Sequence, residues 1–92
     1  MIGSVRHKGL KRFIEDDDRS KLPADMVERL RDMLTALNDA SSIDDMDLPS
    51  YRLHRLKGDF KGYFAITVRA NWRLIFRFED GEALDLDFID YH

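Results

Sequence analysis

The strongest constraint on the fold is a period-two alternation of apolar and polar residues over positions 63–89. The alternating runs cover residues 63–69, 72–78 and 84–89. Each run is typical of a β-strand with one buried face. Asp80-Gly81 separates the second and third runs, and this pair is typical of a two-residue hairpin turn with positive φ. Ala70-Asn71 separates the first two runs, with Asn71 expected in the left-handed conformation. These residues predict three antiparallel strands in sequence.

The first half of the chain carries a helical pattern instead. Apolar residues in 8–14 have the spacing of one helix face, and the acidic run 15–18 is expected to end that helix. A second helix is predicted after Pro23. Its apolar stripe consists of Met26, Val27, Leu30, Met33, Leu34 and Leu37. With short strands at 2–6 and 51–56, the predicted fold is α+β in the order β-α-α-β-β-β-β, with two N-terminal helices packed on one face of a mainly antiparallel sheet.

Length and composition limit the class of protein. Ninety-two residues suffice for one domain, 1–92, with a modest core. The absence of cysteine excludes disulfides and cysteine-based zinc sites. Neither a signal peptide nor a membrane span is predicted, so a cytoplasmic location is expected. The three histidines lie far apart and the acids at 44–47 lack the calcium-loop pattern, so no metal or other cofactor is expected.

Charge is distributed unevenly along the second half of the chain. Residues 51–73 carry six basic residues and one acid, a net charge of +5. Residues 74–92 carry one basic residue and six acids, a net charge of −5. Two interpretations are open: pairing of charges across neighbouring strands, or a basic surface that binds an anionic partner.

The position of the basic residues favours an anionic partner. Arg69 and Arg73 are expected on the sheet face that points away from the helices, near Tyr63. The preceding segment adds Arg55, Lys57 and Lys61. Each residue taken singly is better explained as a solvated surface charge. Five of them within 19 residues, with one acid among them, indicate instead a groove for a phosphate backbone.

The sequence ends in Asp90-Tyr91-His92, directly after the third alternating run. A frayed terminus is the ordinary expectation. Phe88 anchors the preceding strand, however, so these residues are expected to be held in place. Carboxylates near His92 favour its protonated form, which suits a proton donor. His54 lies in a predicted strand, where the pattern leaves a purely structural role open.

Four segments carry a recognisable signature. They are "HKGLKRF" (7–13), "IDDMDLPSYRLH" (43–54), "RLHRLKGDFKGYFAITVRANWRLIFRFEDG" (52–81) and the terminal "DYH". Together they resemble the HigB toxins, also called plasmid-maintenance killer proteins, of the RelE superfamily. The resemblance implies a fold similar to microbial ribonucleases. It also implies an endoribonuclease that cuts mRNA in the ribosomal A site without a metal, by attack of a 2′-hydroxyl on the adjacent phosphate. The alternative is a non-catalytic module that binds RNA or protein through the basic sheet face.

The resemblance assigns roles to individual residues. The catalytic set that it implies is His54, Lys57, Arg73, Asp90, Tyr91 and His92. Contacts with RNA phosphates are expected from Arg55, Lys61 and Arg69. His92 is favoured as the general acid and His54, together with Asp90, as the base, although the sequence does not settle which histidine has which role. Tyr91 is expected to stack on a base of the A-site codon.

The resemblance also implies partners. These are a HigA-like antitoxin with a helix-turn-helix fold, the 70S ribosome and its mRNA, with DNA contacted only through the antitoxin. The acidic segment 39–47 and the second helix are candidate contacts for the antitoxin. The competing interpretation is that the segment is a solvated linker and the helix a core element.

Overall fold

The computed structural model describes residues 1–91 and places two helices on one face of a four-stranded sheet. The helices are α1 (Lys8–Asp16) and α2 (Val27–Asp39). The strands are β1 (His54–Arg55), β2 (Phe64–Arg69), β3 (Trp72–Glu79) and β4 (Glu82–Asp90). Short 3₁₀ helices lie in the connections, at Ala24–Met26, Ile43–Met46, Pro49–Tyr51 and Gly58–Phe60. The predicted α+β fold, with both helices before the main sheet, is confirmed.

The sheet is antiparallel and its strand order is β1-β2-β3-β4. β3 and β4 are joined through Asp80 and Gly81, whose φ angles of 52° and 78° fit the predicted turn. In the turn between β2 and β3, Ala70 rather than Asn71 is left-handed, with φ 51°. The strand predicted at 51–56 shrinks to two residues, because a 3₁₀ helix and the left-handed Arg52 precede it.

The N-terminal segment lies beside β4. The predicted strand at 2–6 forms two isolated parallel bridges, Ile2 with Ala83 and Val5 with Leu86. Backbone hydrogen bonds accompany the bridges, among them one of 2.7 Å from the Gly3 amide to the Ala83 carbonyl oxygen. These contacts cover the edge of β4 that β3 leaves open.

Both helices bury one face against the sheet. The Nδ1 atom of His7 accepts a hydrogen bond of 3.1 Å from the Leu10 amide and so caps the start of α1. α1 ends within the predicted acidic run, at the left-handed Asp17. The buried residues of α2 are Val27, Leu30, Met33, Leu34 and Leu37, which belong to the predicted stripe. Neither α1 nor α2 is long and apolar enough to cross a membrane, and the same is true of every other helix in residues 1–91.

A bulge in β4 changes the predicted alternation. Asp85 has a φ of 53°, at the point where the register between β3 and β4 shifts. An extra residue in one strand reverses the faces of the residues on one side of it. As a result Ala83, rather than the predicted Leu84, shares the helix-facing core with Leu86 and Phe88.

A second register shift, between β2 and β3, changes the position of Arg69. The shift falls between Thr67 and Arg69. Arg69 forms an ion pair with Asp25, which lies in the 3₁₀ helix that leads into α2. The prediction that Arg69 points away from the helices is therefore wrong.

Replacing Gly81 by alanine is expected to lower the free energy of unfolding by about 1–2 kcal/mol, because a left-handed backbone is unfavourable for a residue with a Cβ. An added Cβ would lie 3.8 Å from the Ser41 carbonyl oxygen, so the cost is conformational rather than steric. Urea unfolding followed by Trp72 fluorescence measures it. Asparagine tolerates this conformation, so Gly81→Asn should lower the free energy of unfolding by less than Gly81→Ala does. Equal losses in the two variants would contradict the explanation.

Candidate active site

The strand register defines a sheet face that points away from both helices, which we call the outer face. His54 lies opposite Ala65, Ala65 opposite Ile75, and Ile75 opposite Asp87. Paired residues on neighbouring strands project to the same side of a sheet, so these four side chains form a row. The adjacent row consists of Thr67, Arg73 and Ile89. The register therefore brings His54 and Arg73, two predicted catalytic residues, to one face.

A small apolar cluster occupies the centre of the outer face. Its buried members are Leu56, Ala65 and Ile75. Phe60 lies against them, with ring centroids 5.8 Å from Tyr63 and 6.4 Å from Tyr91, both in edge-to-face arrangements. This cluster is distinct from the main core, and its packing holds the centre of the outer face in place.

His54 is exposed at the edge of the outer face. Its Nδ1 atom lies 2.9 Å from the carbonyl oxygen of Arg52. Since a carbonyl oxygen only accepts hydrogen bonds, Nδ1 carries the proton in this contact and Nε2 of the neutral ring has a free lone pair. The left-handed Arg52, with φ 51°, sets the direction of that carbonyl. His54 can thus accept a proton through Nε2.

Arg73 is tied to the turn between β2 and β3. Its Nη1 atom donates a hydrogen bond of 2.6 Å to the Ala70 carbonyl oxygen. Its Nε atom is buried and has no hydrogen-bond partner within residues 1–91. A buried donor without an acceptor is unfavourable.

His54 and Arg73 are separated by two strand spacings and two residues along the strands. This offset corresponds to roughly 12 Å between their Cα atoms. Both side chains are long enough for their end groups to approach one phosphate from opposite sides. The geometry is suited to a phosphodiester bound across β2.

Lys57 and Lys61 lie on the loop between β1 and β2. They border a shallow groove of about 420 Å³, which Arg55 and Tyr63 also line. Gly58 and Gly62, with φ angles of 67° and 95°, allow the loop to turn sharply at both ends. Neither lysine forms an ion pair with another described residue, so both ammonium groups are available to an anion.

Tyr91 is held at the end of the sheet, as expected. Its amide donates a hydrogen bond of 2.8 Å to the Asn71 carbonyl oxygen, which continues the pairing beyond β4. Its ring is half-buried against Phe60. His92, the second predicted catalytic histidine, lies outside the described residues.

The side chain of Asp90 does not lie beside that of His54. It lies opposite Trp72, whose ring stacks on Phe88, so its side chain is on the helix-facing side of β4. β1 and β4 are the two outermost strands, roughly 14 Å apart. The predicted pairing of His54 with Asp90 is therefore wrong, and the Arg52 carbonyl oxygen orients the imidazole instead. Within residues 1–91, no three His, Asp or Glu side chains converge on a position that could hold a metal ion.

Two further predicted RNA contacts lie away from the outer face. The Arg55 guanidinium carbon is 4.7 Å from the centroid of Phe64, on the helix-facing side of the sheet. Arg69 is paired with Asp25 on that same side. Lys61 borders the groove beside the outer face, and Arg55 borders the same groove although its guanidinium packs on Phe64.

Cross-strand pairing accounts for part of the charge pattern. Arg77 donates hydrogen bonds of 2.9 Å to the carboxylates of Asp85 and Glu79. The hydrogen bond with Asp85 raises the pKa of Arg77. The interpretation of paired charges is confirmed for Arg77, whereas Lys57, Lys61 and Arg73 form no ion pair within residues 1–91, and binding of an anionic partner by these residues stays a prediction.

Phe60 is a residue of this face that the alternating pattern did not single out. The structure folds the 3₁₀ helix Gly58–Phe60 over the outer face, so that this ring covers the apolar cluster. An aromatic residue between two glycines is an unusual choice for a solvated turn, and this was the available signal.

The acidic segment at 39–47 contains a local structural motif. The Asp45 carboxylate accepts hydrogen bonds from the Ser41 amide and hydroxyl and from the Ser42 amide, at 2.9–3.3 Å. Together with Ser42 it forms a capping box at the start of the 3₁₀ helix Ile43–Met46. The segment has a defined fold of its own, and Asp45 has a structural role in it.

These hydrogen bonds, the Ser41 amide first, lower the pKa of Asp45. A carboxyl whose pKa is lower in the folded state stabilises the fold above its unfolded pKa, and this contribution is lost as the pH falls through the folded value. We therefore expect Asp45→Asn to destabilise the protein more at about pH 6 than at about pH 3. Urea unfolding at both pH values measures the difference. A difference that is constant or grows on acidification would contradict the assignment.

Solved structures identify the class of fold. One neighbour, the YoeB–YefM complex from Staphylococcus aureus, has a TM-score of 0.58 and 14% identity and covers 100% of this chain and 98% of its own. A second, a mutant of YafQ from E. coli, has a TM-score of 0.57 and 25% identity over 92% of this chain and 89% of its own. The arrangement of two helices on an antiparallel sheet is thus the RelE-like toxin fold.

Sequence comparison narrows this class to a family. The family model described as the RelE-like toxin of type II toxin–antitoxin system HigB matches residues 3–92. The chain is 48% identical to "Endoribonuclease HigB" of Proteus vulgaris over the whole length of both proteins. It is 36% identical to "Toxin HigB-1" of Vibrio cholerae, covering 100% of this chain and 98% of the relative. The chain belongs to the HigB-like toxin family.

Proposed function

We propose that the protein is an endoribonuclease toxin that cleaves mRNA in the ribosomal A site without a metal and thereby inhibits translation. Family membership and the relative named as an endoribonuclease support the activity. The observation that carries the proposal is His54, whose Nδ1 donates to the Arg52 carbonyl oxygen while Nε2 has no hydrogen-bond partner among residues 1–91, on the face that contains Arg73. That arrangement provides a proton acceptor and a cation across one phosphate.

The proposed reaction is an intramolecular displacement at phosphorus. Nε2 of His54 removes the proton of the 2′-hydroxyl, and the 2′-oxygen forms a bond to the adjacent phosphorus. The bond from phosphorus to the 5′-oxygen breaks, which leaves a 2′,3′-cyclic phosphate and a 5′-hydroxyl. His92 is proposed to donate the proton that the 5′-oxygen takes up.

Arg73 and Lys57 are proposed to stabilise the negative charge that develops on the phosphorane. Cationic donors at developing charge are often the largest contribution to such catalysis. The position of Arg73 supports this assignment, because it lies on the outer face in the row next to that of His54 and forms no ion pair within residues 1–91.

The remaining contacts are proposed to position the RNA. Tyr91, held edge-to-face by Phe60, offers a ring face on which a base can stack. Lys61 borders the groove and is proposed to bind a backbone phosphate. Arg55 borders the same groove as Lys61, whereas Arg69 lies on the helix-facing side of the sheet, so their proposed contacts are with phosphates away from the reacting one. Asp90 is proposed to act near the end of β4, separate from His54.

The partner of a type II toxin is an antitoxin. We propose a HigA-like antitoxin with a helix-turn-helix fold, through which alone the toxin contacts DNA. The ribosome supplies the mRNA, so the proposed place of action is the cytoplasm.

Mapping of the cleavage products tests the proposed chemistry. The purified protein is added to ribosomes paused on a defined mRNA, once with the natural nucleotide at the cleaved position and once with its 2′-deoxy analogue. We expect products with 5′-hydroxyl ends from the natural mRNA and no cleavage of the analogue. Products with 5′-phosphate ends, or equal cleavage of both mRNAs, would overturn the mechanism.

A further inference from the structure

Arg29 on α2 contacts main-chain carbonyl groups of two different segments. Its Nε donates a hydrogen bond of 2.8 Å to the Val68 carbonyl oxygen, and its Nη2 donates hydrogen bonds to the carbonyl oxygens of Ser50, at 2.7 Å, and Thr67, at 3.2 Å. The guanidinium carbon also lies 5.4 Å from the centroid of the buried Tyr51 ring. One half-buried side chain thus joins a helix to a strand and to the loop before β1.

The two carbonyl groups in β2 lie at a disturbed part of the sheet. The register between β2 and β3 shifts between Thr67 and Arg69. A bulge leaves backbone groups without their regular strand partners. Arg29 supplies donors to Thr67 and Val68 at this position, and so stabilises the end of β2 in its irregular form.

The third carbonyl group belongs to the segment that leads to His54. Ser50 lies in the 3₁₀ helix Pro49–Tyr51, which is followed by the left-handed Arg52. The Arg52 carbonyl oxygen accepts the hydrogen bond from His54 Nδ1. Fixing Ser50 and Tyr51 therefore restricts the carbonyl that selects the His54 tautomer.

The same guanidinium also acts on the strand beside Arg73. Thr67 lies directly opposite Arg73, and the Thr67 carbonyl oxygen is one of the Arg29 acceptors. Arg29 approaches from the helix side and does not enter the outer face. Through backbone carbonyl groups it joins the segment that leads to the proposed base with the strand that pairs with Arg73, the proposed phosphate-binding cation.

We propose that Arg29 is a positioning residue for RNA cleavage, which fixes the separation and orientation of His54 relative to Arg73. The inference rests on the proposed function. Three hydrogen bonds from one planar group explain why the residue is arginine, because the single nitrogen of lysine cannot reproduce the fork. Catalytic rates are sensitive to displacements of about 1 Å in such a pair, so loss of the fork affects the chemical step more than RNA binding.

The experiment compares Arg29→Ala and Arg29→Lys with Arg31→Ala. Arg31 lies on the same helix and pairs with Asp17 at the exposed surface, which makes it a matched control. Cleavage rates measured over a range of paused-ribosome concentrations give kcat and KM. We expect Arg29→Ala to lower kcat by about 10- to 100-fold with little change in KM, Arg29→Lys to be intermediate, and Arg31→Ala to equal the parent.

NMR of the imidazole nitrogens gives a readout that a merely structural role would not change. At about pH 8, where an ordinary histidine is neutral, the parent should show His54 protonated at Nδ1. Arg29→Ala should show the averaged nitrogen shifts of two exchanging tautomers, while the amide signals of β3 and β4 stay in place. If Arg29→Ala does not fold, the same shift of the tautomer equilibrium is expected in Arg29→Lys.

A folded Arg29 variant with the parent's His54 tautomer and the parent's kcat would overturn the inference, as would a loss in KM alone. Failure of the proposed function has a different outcome, in which His54→Ala cleaves RNA like the parent. The NMR comparison still decides in that case whether Arg29 controls the imidazole.

Discussion

Replacing His54 by alanine is expected to lower the rate constant of RNA cleavage by about 10²–10⁴-fold, the usual contribution of a positioned acid or base. The side chain is exposed and, within residues 1–91, its one hydrogen bond is to the carbonyl oxygen of Arg52, so the free energy of unfolding should change little. Single-turnover cleavage and urea unfolding of the same preparation measure both quantities. The loss should therefore appear in the chemistry of a protein that remains folded.

His7 provides a matched control for this experiment. Its imidazole caps α1 through the Leu10 amide and lies outside the outer face. His7→Ala should lower the free energy of unfolding by about 0.5–2 kcal/mol and leave the cleavage rate of the folded protein unchanged. A His54→Ala variant that still cleaves translated mRNA and arrests growth like the parent would refute a catalytic role. That result would favour the alternative of a binding module.

Arg73→Ala is expected to reduce kcat by about 10²–10³-fold, the loss found when a donor to developing negative charge is removed. Arg69→Ala should reduce it only a few-fold. The two arginines are four residues apart, yet Arg73 lies on the outer face, whereas Arg69 pairs with Asp25 on the other side of the sheet. The comparison separates a role at the reacting phosphate from general positive charge.

The free energies of unfolding of Arg73→Ala and Arg69→Ala show whether the difference in kcat has its origin in catalysis and not in folding. Loss of the exposed ion pair between Arg69 and Asp25 should cost about 0–1 kcal/mol. Loss of the Arg73 hydrogen bond to the Ala70 carbonyl oxygen should cost about as much. Equal reductions of kcat in the two variants, with both proteins folded, would show that Arg73 has no particular position at the phosphate.

The helices, the three long strands and the hairpin turn could be predicted because each depends on local spacing. The α2 stripe has a helical period, and the strands alternate with period two. Asp80-Gly81 determines a turn through its own conformational preference. His54 and Arg73 could be placed on one face because parity along a strand is a local property as well.

The remaining features depend on contacts between distant segments. A single inserted residue, Asp85, exchanged Leu84 for Ala83 in the core, and the register shift after Thr67 moved Arg69 to the helix side. The rule that alternate residues of a strand point to opposite faces fails at such positions, because nothing in the local pattern marks the extra residue. Which acid would approach His54 was a question of strand order, and it could not be answered from spacing along the chain.

The contacts of Arg29 also could not be predicted from the local sequence pattern. It interrupts neither the helical pattern of α2 nor its apolar stripe, so as a sequence feature it is an ordinary polar residue beside Leu30. Its acceptors are 21, 38 and 39 residues away. Main-chain carbonyl groups that lack a strand partner become visible only when the sheet is assembled.

The covering of β4 by the N-terminal segment has a consequence for how this protein meets other molecules. Unpaired strand edges recruit foreign strands and lead to aggregation. Here one edge strand contains only His54 and Arg55, and the opposite one is bridged by residues 2–5. Little backbone is left that could template an added strand. Copies of the toxin should therefore stay dispersed at high concentration, and we expect an antitoxin to recognise the shape and charge of its side chains.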